Sequence, residues 1–208
     1  MEITMYIDKY KNARYNFFHW RYELNLFYNI SLAFCFACLT GLLAQIRFYI
    51  PGTPVPVTGQ VFGVLLAGIL LGRYGGISQL MYVGIGAFGV PWFSGFNAGF
   101  AYIAGPTGGY IIGFIIAAFF IGFVVDRYIK SRNFLSMVTI MLFSTFFLIY
   151  IPGMLHLYLW FSTSIGFWEL LTIAIFPFIF ADIIKSIIVA LIATGIIPKI
   201  SYGREVDA

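Results

Sequence analysis

The chain has 208 residues, of which 61% are hydrophobic, 20% are aromatic and only 10% are charged. Because a soluble domain faces water and carries about 25% charged residues, this composition excludes a soluble globular protein and indicates an integral membrane protein. The net charge of +4 would also suit a nucleic-acid-binding protein, but the positions of the basic residues favour a membrane topology with no nucleic acid as a partner.

The N-terminal segment, residues 1–23, is polar, charged and aromatic, and it lacks the apolar core of a signal peptide. Its aromatic side chains suit a segment lying on the inner leaflet of the bilayer, while a flexible extension accounts for the same composition equally well. We therefore predict a cytoplasmic or interfacial N-terminal tail and leave both alternatives open.

Six apolar runs follow the tail, and we predict a membrane-spanning helix for each. The second and third are short and rich in glycine, which is typical of segments around a binding site. The sixth would be about 42 Å long as a helix, so we expect it to tilt, project from the bilayer or break near Pro177. The sequence thus predicts an all-α membrane protein with a six-helix domain at 24–200 and a C-terminal tail at 201–208. The six predicted helices are 24–46, 59–72, 77–90, 108–125, 134–152 and 168–197.

The first of these helices contains two cysteines and two alanines at helical spacing. Cys35 and Cys38 form a C-x-x-C pattern, but their apolar surroundings indicate membrane-buried thiols rather than redox chemistry or a metal site. Ala33 and Ala37 lie four residues apart, and small residues at this spacing let another helix pack closely.

The basic residues lie almost entirely on one side of this six-helix topology. Arg47 falls on the opposite side, and Lys185 lies within the sixth helix. Because positively charged loops stay in the cytoplasm, both termini are predicted to be cytoplasmic, in a multi-pass protein of the cell membrane. The other ten of the twelve basic residues are Lys9, Lys11, Arg14, Arg21, Arg73, Arg127, Lys130, Arg132, Lys199 and Arg204.

Three connections then face outwards, at 47–58, 91–107 and 153–167, and none reads as an ordinary hydrophilic loop. The first is stiffened by three prolines, and the second combines glycines with aromatic residues. Stiff backbone, aromatic walls and few polar groups are typical of a site for a small, partly apolar ligand; the alternative is a packed lid without a ligand. Pro106-Thr107-Gly108-Gly109 opens the fourth helix, and the free N–H groups at this helix N-terminus suit a carboxylate. Alternatively, Thr107 is an ordinary N-cap that needs no ligand.

Asp182 and Lys185 are the only charged residues between Leu170 and Ile197. An ionisable side chain in the middle of a membrane helix costs about 2.5–3.5 kcal/mol on insertion scales, which makes a functional role the default interpretation. Residues three apart share one helix face, so the pair offers a carboxylate acceptor and an ammonium donor to a polar ligand. The alternative is that the two charges only neutralise each other within the bundle.

Several motifs together resemble the BioY family, the biotin-binding S component of energy-coupling factor (ECF) transporters. In chain order they are TPVPVTGQ, LLAGILLG, GIGAFGVPWFSG and GPTGGYIIGF, followed by PFIFADIIK, which is similar to that family's Pro-Phe…Asp-x-x-Lys segment. Two departures are Ala181, where glycine is expected, and Trp92 with Ser94, where the family often has Val-Phe-Ala.

The resemblance implies high-affinity biotin capture at the outer face of the membrane, with Asp182, Lys185 and Asn97 contacting the ligand. It also implies docking on a membrane-embedded coupling protein, the T component, which is driven by two ATPases, through the face that carries Ala33 and Ala37. It implies no enzymatic activity and no cofactor, since biotin is the transported ligand.

The chemistry of biotin suits these residues. Asp182 can accept from a ureido N–H, and Lys185 can donate to the ureido carbonyl or, if the ligand is reversed, to its carboxylate. Aromatic residues of the second external connection would cover the thioether ring; they are Trp92, Phe93 and Tyr102. Candidates for the carboxylate near the outer end of the site are Arg47, Gln60 and Thr58.

Three other hypotheses remain at this stage. The same scaffold could bind another small vitamin, such as thiamine or riboflavin. An intramembrane enzyme could use Asp182, Glu169 and His156 as acid–base groups, and a self-sufficient channel is conceivable. The sequence contains no Walker A motif, so we expect no ATP hydrolysis through a P-loop.

Overall fold

A computed structural model of the chain describes residues 2–162, 165–201 and 205–207. The fold is mostly helical, with one two-stranded antiparallel ribbon, β1 (Arg47–Phe48) and β2 (Val57–Thr58). The helices are α1 (Glu2–Glu23), α2 (Leu26–Leu43), α3 (Gln60–Leu71), α4 (Tyr74–Ala87), α5 (Phe100–Ile103), α6 (Gly108–Arg127), α7 (Phe134–Phe143), α8 (Tyr150–Trp160), α9 (Phe167–Ala174) and α10 (Phe176–Ile196).

Within the described residues, four helices are long and apolar enough to cross a membrane: α2, α6, the continuous helix Phe134–Trp160 and α10. The central one is α6, which packs against α3, α4 and α8, while α2 packs against α4 and α10 against α7 and α3. Helix α3 is apolar but shorter. The predicted mostly helical membrane fold is therefore confirmed in its class.

The fifth predicted helix is longer than expected. Helices α7 and α8 are joined by π-helical turns at Ser144–Ile149, and the helix continues to Trp160. The prediction of an external loop at 153–167 is therefore wrong for most of its length, because the apolar run MLHLYLW continues the helix. Pro152 lacks an N–H, and its ring would meet the Leu148 carbonyl in a regular α-helix; the wider π turns lie just before it.

The break expected near Pro177 is confirmed, since α9 ends at Ala174 and α10 begins at Phe176. Pro177 cannot donate to the Ile173 carbonyl as a regular helix would require. The Thr53 hydroxyl donates to that carbonyl instead, at 2.7 Å. Tyr110 of α6 donates to the adjacent Ala174 carbonyl at 2.7 Å. These two bonds tie the end of α9, just before the interruption, to the segment before β2 and to α6.

The N-terminal segment is a helix packed on one end of the bundle rather than a free extension. Phe18 is fully buried. Arg14 donates to the last carbonyls of α10, those of Ile196 and Ile197. Arg21 donates to the Leu70 carbonyl and forms an ion pair with a carboxylate of α6. Helix α1 therefore crosses the ends of α3, α6 and α10.

The C-terminal residues pack against the same end. Glu205 forms a 2.7 Å ion pair with the fully buried Arg132. Backbone N–H groups of Lys130 and Ile129 donate to Asp207 and hold the pKa of its carboxyl below its usual range. Arg204, which belongs to the predicted basic side, lies outside the described residues.

Candidate functional site

Asp182 and Lys185 lie side by side on α10, as the spacing of three residues predicts. Asp182 is 4% exposed, and its Oδ1 accepts from Lys185 Nζ at 2.6 Å. Its Oδ2 accepts from the Tyr150 hydroxyl of α8 at 2.7 Å. Lys185 Nζ also donates to the Thr58 carbonyl at 2.7 Å. The pair therefore joins α10 to α8 and to the β1–β2 ribbon.

The hydrogen-bonding capacity of this pair is only partly used within the described residues. An ammonium group has three N–H donors, and two of those of Lys185 are engaged. Each oxygen of Asp182 accepts one of the bonds above and retains a further lone pair. A polar ligand in the adjoining space can therefore donate to the carboxylate and accept from the ammonium.

A second polar group, at the start of α3, lines the same space. The Thr58 hydroxyl donates to Gln60 Oε1 at 2.8 Å, and Gln60 Nε2 donates to the fully buried Tyr82 hydroxyl at 2.7 Å. These bonds hold the Gln60 amide in one orientation. Two of the carboxylate candidates from the sequence, Thr58 and Gln60, thus reach the site.

The space itself is a cavity of about 50 Å³. This is room for a few water molecules, and ligand pockets usually measure about 300–1,000 Å³. The walls must therefore move apart before a bicyclic ligand enters. The lining residues are Val55, Pro56, Val57, Thr58, Gln60, Val61, Tyr102, Thr107, Tyr110, Ile111, Phe114, Ile149, Tyr150, Phe178, Asp182 and Lys185.

The structure places Asn97 and Arg47 outside this cavity. Asn97 is exposed and donates to the Ser94 carbonyl at 2.8 Å. It lines a neighbouring cavity that shares Pro56, Tyr102 and Thr107 with the first. Arg47 is exposed on β1 and donates to the Tyr49 hydroxyl at 2.9 Å. Their roles as ligand contacts remain predictions.

Of the three aromatic residues predicted to cover a ligand ring, only Tyr102 lines the cavity. Phe93 is fully buried and stacks on Tyr102 with ring centroids 5.0 Å apart. Trp92 donates from its indole N–H to the Tyr82 carbonyl at 2.9 Å. Phe93 therefore supports the wall instead of forming it, and the Trp92 ring packs on Tyr82, with centroids 5.5 Å apart.

Gln45 holds this loop in place, and the sequence analysis missed it. Its amide nitrogen donates to the carbonyls of Trp92 and Phe93, and its oxygen accepts from the backbone N–H of Phe96. Phe96 has a positive φ of 58°, which is uncommon for a residue other than glycine. A side-chain amide at the end of a predicted helix gave no signal of this contact.

The glycines of GPTGGY bring α6 close to its neighbours. A Cβ on Gly108 would lie 1.7 Å from the Ile103 carbonyl oxygen, and one on Gly109 would lie 2.2 Å from the Pro152 carbonyl oxygen of α8. Only glycine allows this approach. Thr107 is the N-cap residue of α6, as predicted, but its side chain makes no capping hydrogen bond among the described residues. Its side chain lines the cavity instead.

The sequence analysis also missed three residues of the cavity wall, Tyr150, Tyr110 and Phe178. Tyr150 is 2% exposed, and its hydroxyl faces Asp182. Its position in an apolar, aromatic-rich run gave no sign of a polar partner 32 residues later in the chain. A buried tyrosine needs a partner for its hydroxyl, and this rule was the one available signal.

The burial of Ala33 and Ala37 contradicts the prediction of an exposed docking face. Both residues are fully buried within the chain, on the face of α2 that also carries Asn29, Thr40 and Gly41. Their small side chains let α2 approach its own neighbours, chiefly α4. A partner protein cannot touch them in this conformation.

The three residues that the enzyme hypothesis assigned as acid–base groups, Asp182, Glu169 and His156, do not line a common cavity. His156 Nε2 lies 2.9 Å from the Gly105 carbonyl oxygen, and Glu169 is exposed at the start of α9. Neither lines the space beside Asp182. No group of three or more metal-binding side chains occurs among the described residues.

Comparison with known proteins gives a consistent result. Residues 18–202 match the model of the BioY family. A protein of Methanothermobacter thermautotrophicus, named probable biotin transporter BioY, is 48% identical over 147 residues, covering 68% of this chain and 94% of that protein. A Pyrococcus horikoshii protein of the same name is 40% identical over 165 residues, covering 79% of this chain and 93% of that protein.

A solved structure is similar as well. It is the crystal structure of the S component for biotin from an ECF-type ABC transporter. The TM-score is 0.73 at 27% sequence identity, and the match covers 82% of this chain and 93% of the other. The sequence and the fold therefore point to the same group of proteins.

Proposed function

The chain belongs to the BioY family, and we infer that it takes up biotin as the S component of an ECF-type transporter. The resemblance found in the sequence is thereby confirmed. The relatives are named as transporters, so we propose capture and transport of the ligand without chemical conversion.

The observation that carries the biotin site is the partly used pair Asp182 and Lys185 beside the cavity. The ureido ring of biotin has two N–H donors and one carbonyl acceptor. The carboxylate of Asp182 can accept from an N–H, and the free N–H of Lys185 can donate to the carbonyl. Tyr102, Tyr110 and Phe178 supply apolar surface for the thioether ring.

The topology of the proposed transporter has six spans, with both termini in the cytoplasm and the cavity towards the outer face. Support comes from Arg14, Arg21 and Arg132, which contact one end of the bundle. Positively charged segments favour the cytoplasm. Arg47 lies instead next to the cavity region.

The proposed partners are a membrane-embedded T component and two ATPases. Because Ala33 and Ala37 are buried, we propose that the T component contacts a different surface or a different conformation of α2. The lipid-facing side of α2 carries Leu26, Phe27 and Leu42, which are 66–73% exposed.

Competition binding to the purified full-length protein tests the ligand. We expect labelled biotin to be displaced by biotin and by desthiobiotin, which retains the cyclic urea, but not by thiamine or riboflavin. A diamine analogue that lacks the ureido carbonyl should compete poorly, because it leaves the Lys185 donor unpaired. Displacement by thiamine or riboflavin at equal concentration would favour the other-vitamin hypothesis.

Removal of the Tyr150 hydroxyl tests the positioning of Asp182. Tyr150→Phe is expected to weaken biotin binding by about tenfold, since Asp182 loses a hydrogen bond to a charged acceptor worth about 1.5–3 kcal/mol. Isothermal titration calorimetry measures the change. Tyr158→Phe, on the same helix but outside the cavity lining, is the control and should bind normally. An equal effect of both changes would exclude a specific role for Tyr150.

A further inference from the structure

A second, larger cavity lies at the end of the bundle where α1 packs. Its volume is about 280 Å³, and the residues of the proposed biotin site do not line it. It is enclosed by the end of α1, the start of α2, the α3–α4 turn and the end of α6. The lining residues are Arg21, Tyr22, Leu24, Asn29, Leu71, Arg73, Tyr74, Gly122, Phe123, Asp126 and Arg127.

The charges on its wall do not balance. Among the described residues of the lining, Arg21, Arg73 and Arg127 carry three positive charges, and Asp126 supplies the single carboxylate. That carboxylate is already engaged with Arg21 at 2.5 Å. Neither Arg73 nor Arg127 has a carboxylate partner among the described residues. Two positive charges therefore remain for a ligand.

Hydrogen bonds and an ion pair hold the side chains of the inner part of the cavity in place. Arg21 is only 5% exposed and is fixed by the Leu70 carbonyl at 3.1 Å as well as by Asp126. Asn29 is 8% exposed and donates to the Leu24 carbonyl at 2.9 Å. Arg73 and Arg127 are exposed at the rim, where they can turn towards an anion.

The rim of the cavity is also suited to lipid. Phe123 lines the cavity and is 49% exposed on the apolar helix α6. Tyr22 and Tyr74 complete an aromatic edge. Aromatic residues and arginines occur together where a membrane protein meets the headgroup region.

We propose that this cavity binds a phosphate group, as carried by the headgroup of an anionic phospholipid. Guanidinium groups form paired, charge-assisted hydrogen bonds to phosphate oxygens. Arg73 and Arg127 supply these donors, and the exposed Phe123 contacts the acyl chain. Basic pockets between membrane helices are a known mode of anionic headgroup recognition. A free phosphate ion has the same chemistry and is the alternative source.

Lipid retention by the full-length protein tests the proposal. The protein is reconstituted with phosphatidylglycerol, delipidated stepwise in detergent and analysed by native mass spectrometry. In the double variant Arg73→Gln/Arg127→Gln, phosphatidylglycerol affinity should fall about 30-fold, since each basic residue near an anionic headgroup contributes about fivefold. Arg21 is left intact because its bonds to Asp126 and to the Leu70 carbonyl hold α1 against the bundle.

The matched control removes the same charge elsewhere. Lys9→Gln/Lys11→Gln changes two exposed residues of α1 outside the cavity and should retain phosphatidylglycerol like the unmodified chain. Equal retention in the cavity variant, or an equal loss in the control variant, would overturn the proposal. Biotin affinity is expected to stay unchanged in both variants, so this result is independent of the biotin site.

Two further ligands identify the source of the phosphate. Phosphatidylcholine carries no net charge, so we expect its affinity for the cavity variant to be no lower than its affinity for the unmodified chain. Inorganic phosphate at millimolar concentration is added in a parallel experiment. If it displaces phosphatidylglycerol, the phosphate site is supported with a free anion as a competing ligand; if it does not, the lipid headgroup is supported. Selective binding of phosphatidylcholine would contradict the proposal.

Discussion

Asp182→Asn and Lys185→Ala are each expected to raise the dissociation constant for biotin by about 100-fold or more. Each variant removes a buried charged group that binds the ligand and leaves its partner charge uncompensated, which costs about 2–5 kcal/mol in binding, and 1.4 kcal/mol corresponds to tenfold in affinity. The 2.6 Å contact between the two groups and the 4% exposure of Asp182 place the pair in this class.

Titration calorimetry on purified protein measures the loss. The chain offers a matched control in Asp8 and Lys11, an exposed i,i+3 pair on α1 whose charged atoms are 3.9 Å apart. Asp8→Asn and Lys11→Ala should leave the affinity unchanged, since exposed ion pairs contribute little. Unchanged affinity in both α10 variants would exclude the proposed site.

The double variant Asp182→Asn/Lys185→Met separates the two roles of the pair. If the residues act only on each other, restoring neutrality should recover much of the stability lost in the single variants. If they also bind biotin, the double variant should fold well and still bind at least about 100-fold more weakly, because two hydrogen bonds to charged groups, each worth about 1.5–3 kcal/mol, are lost. Thermal unfolding and calorimetry on the same samples distinguish the two outcomes.

Gly109→Ala is expected to lower both stability and biotin affinity. The added Cβ would lie 2.2 Å from the Pro152 carbonyl oxygen and 2.4 Å from the His156 Cβ, so α6 and α8 must separate. Overpacking of this kind costs about 1–3 kcal/mol. Because Tyr110 and Tyr150 line the cavity from these two helices, their separation should also displace the Tyr150 hydroxyl from Asp182.

Thermal unfolding in detergent should show a decrease of about 5 °C in the midpoint, from about 2 kcal/mol of destabilisation. Gly84→Ala is the control, because no heavy atom lies within 4 Å of a Cβ added there, in the interior of α4. It should be neutral or slightly stabilising, since alanine favours the helix over glycine. If Gly109→Ala is as stable as Gly84→Ala, close packing of α6 against α8 is not what the GPTGGY motif provides.

Features that depend on local chemistry could be predicted from the amino-acid sequence. Composition gave the membrane class, the spacing of Asp182 and Lys185 placed them on one helix face, and Pro177 marked the break before α10. The order of the motifs identified the family. Each of these follows from residues close together in the chain, or from a pattern read along it.

Which side chains meet could not be predicted from the sequence, because it depends on how the helices pack. Tyr150 and the Thr58 carbonyl reach the charged pair from 32 and 127 residues away. Phe93 supports the wall without forming it, and Ala37 packs inside the chain rather than on a docking face. A small or aromatic residue suits a buried helix contact, a ligand wall and a protein interface equally well. The packing of α6 against α3, α4 and α8 sets which of these surroundings each residue has.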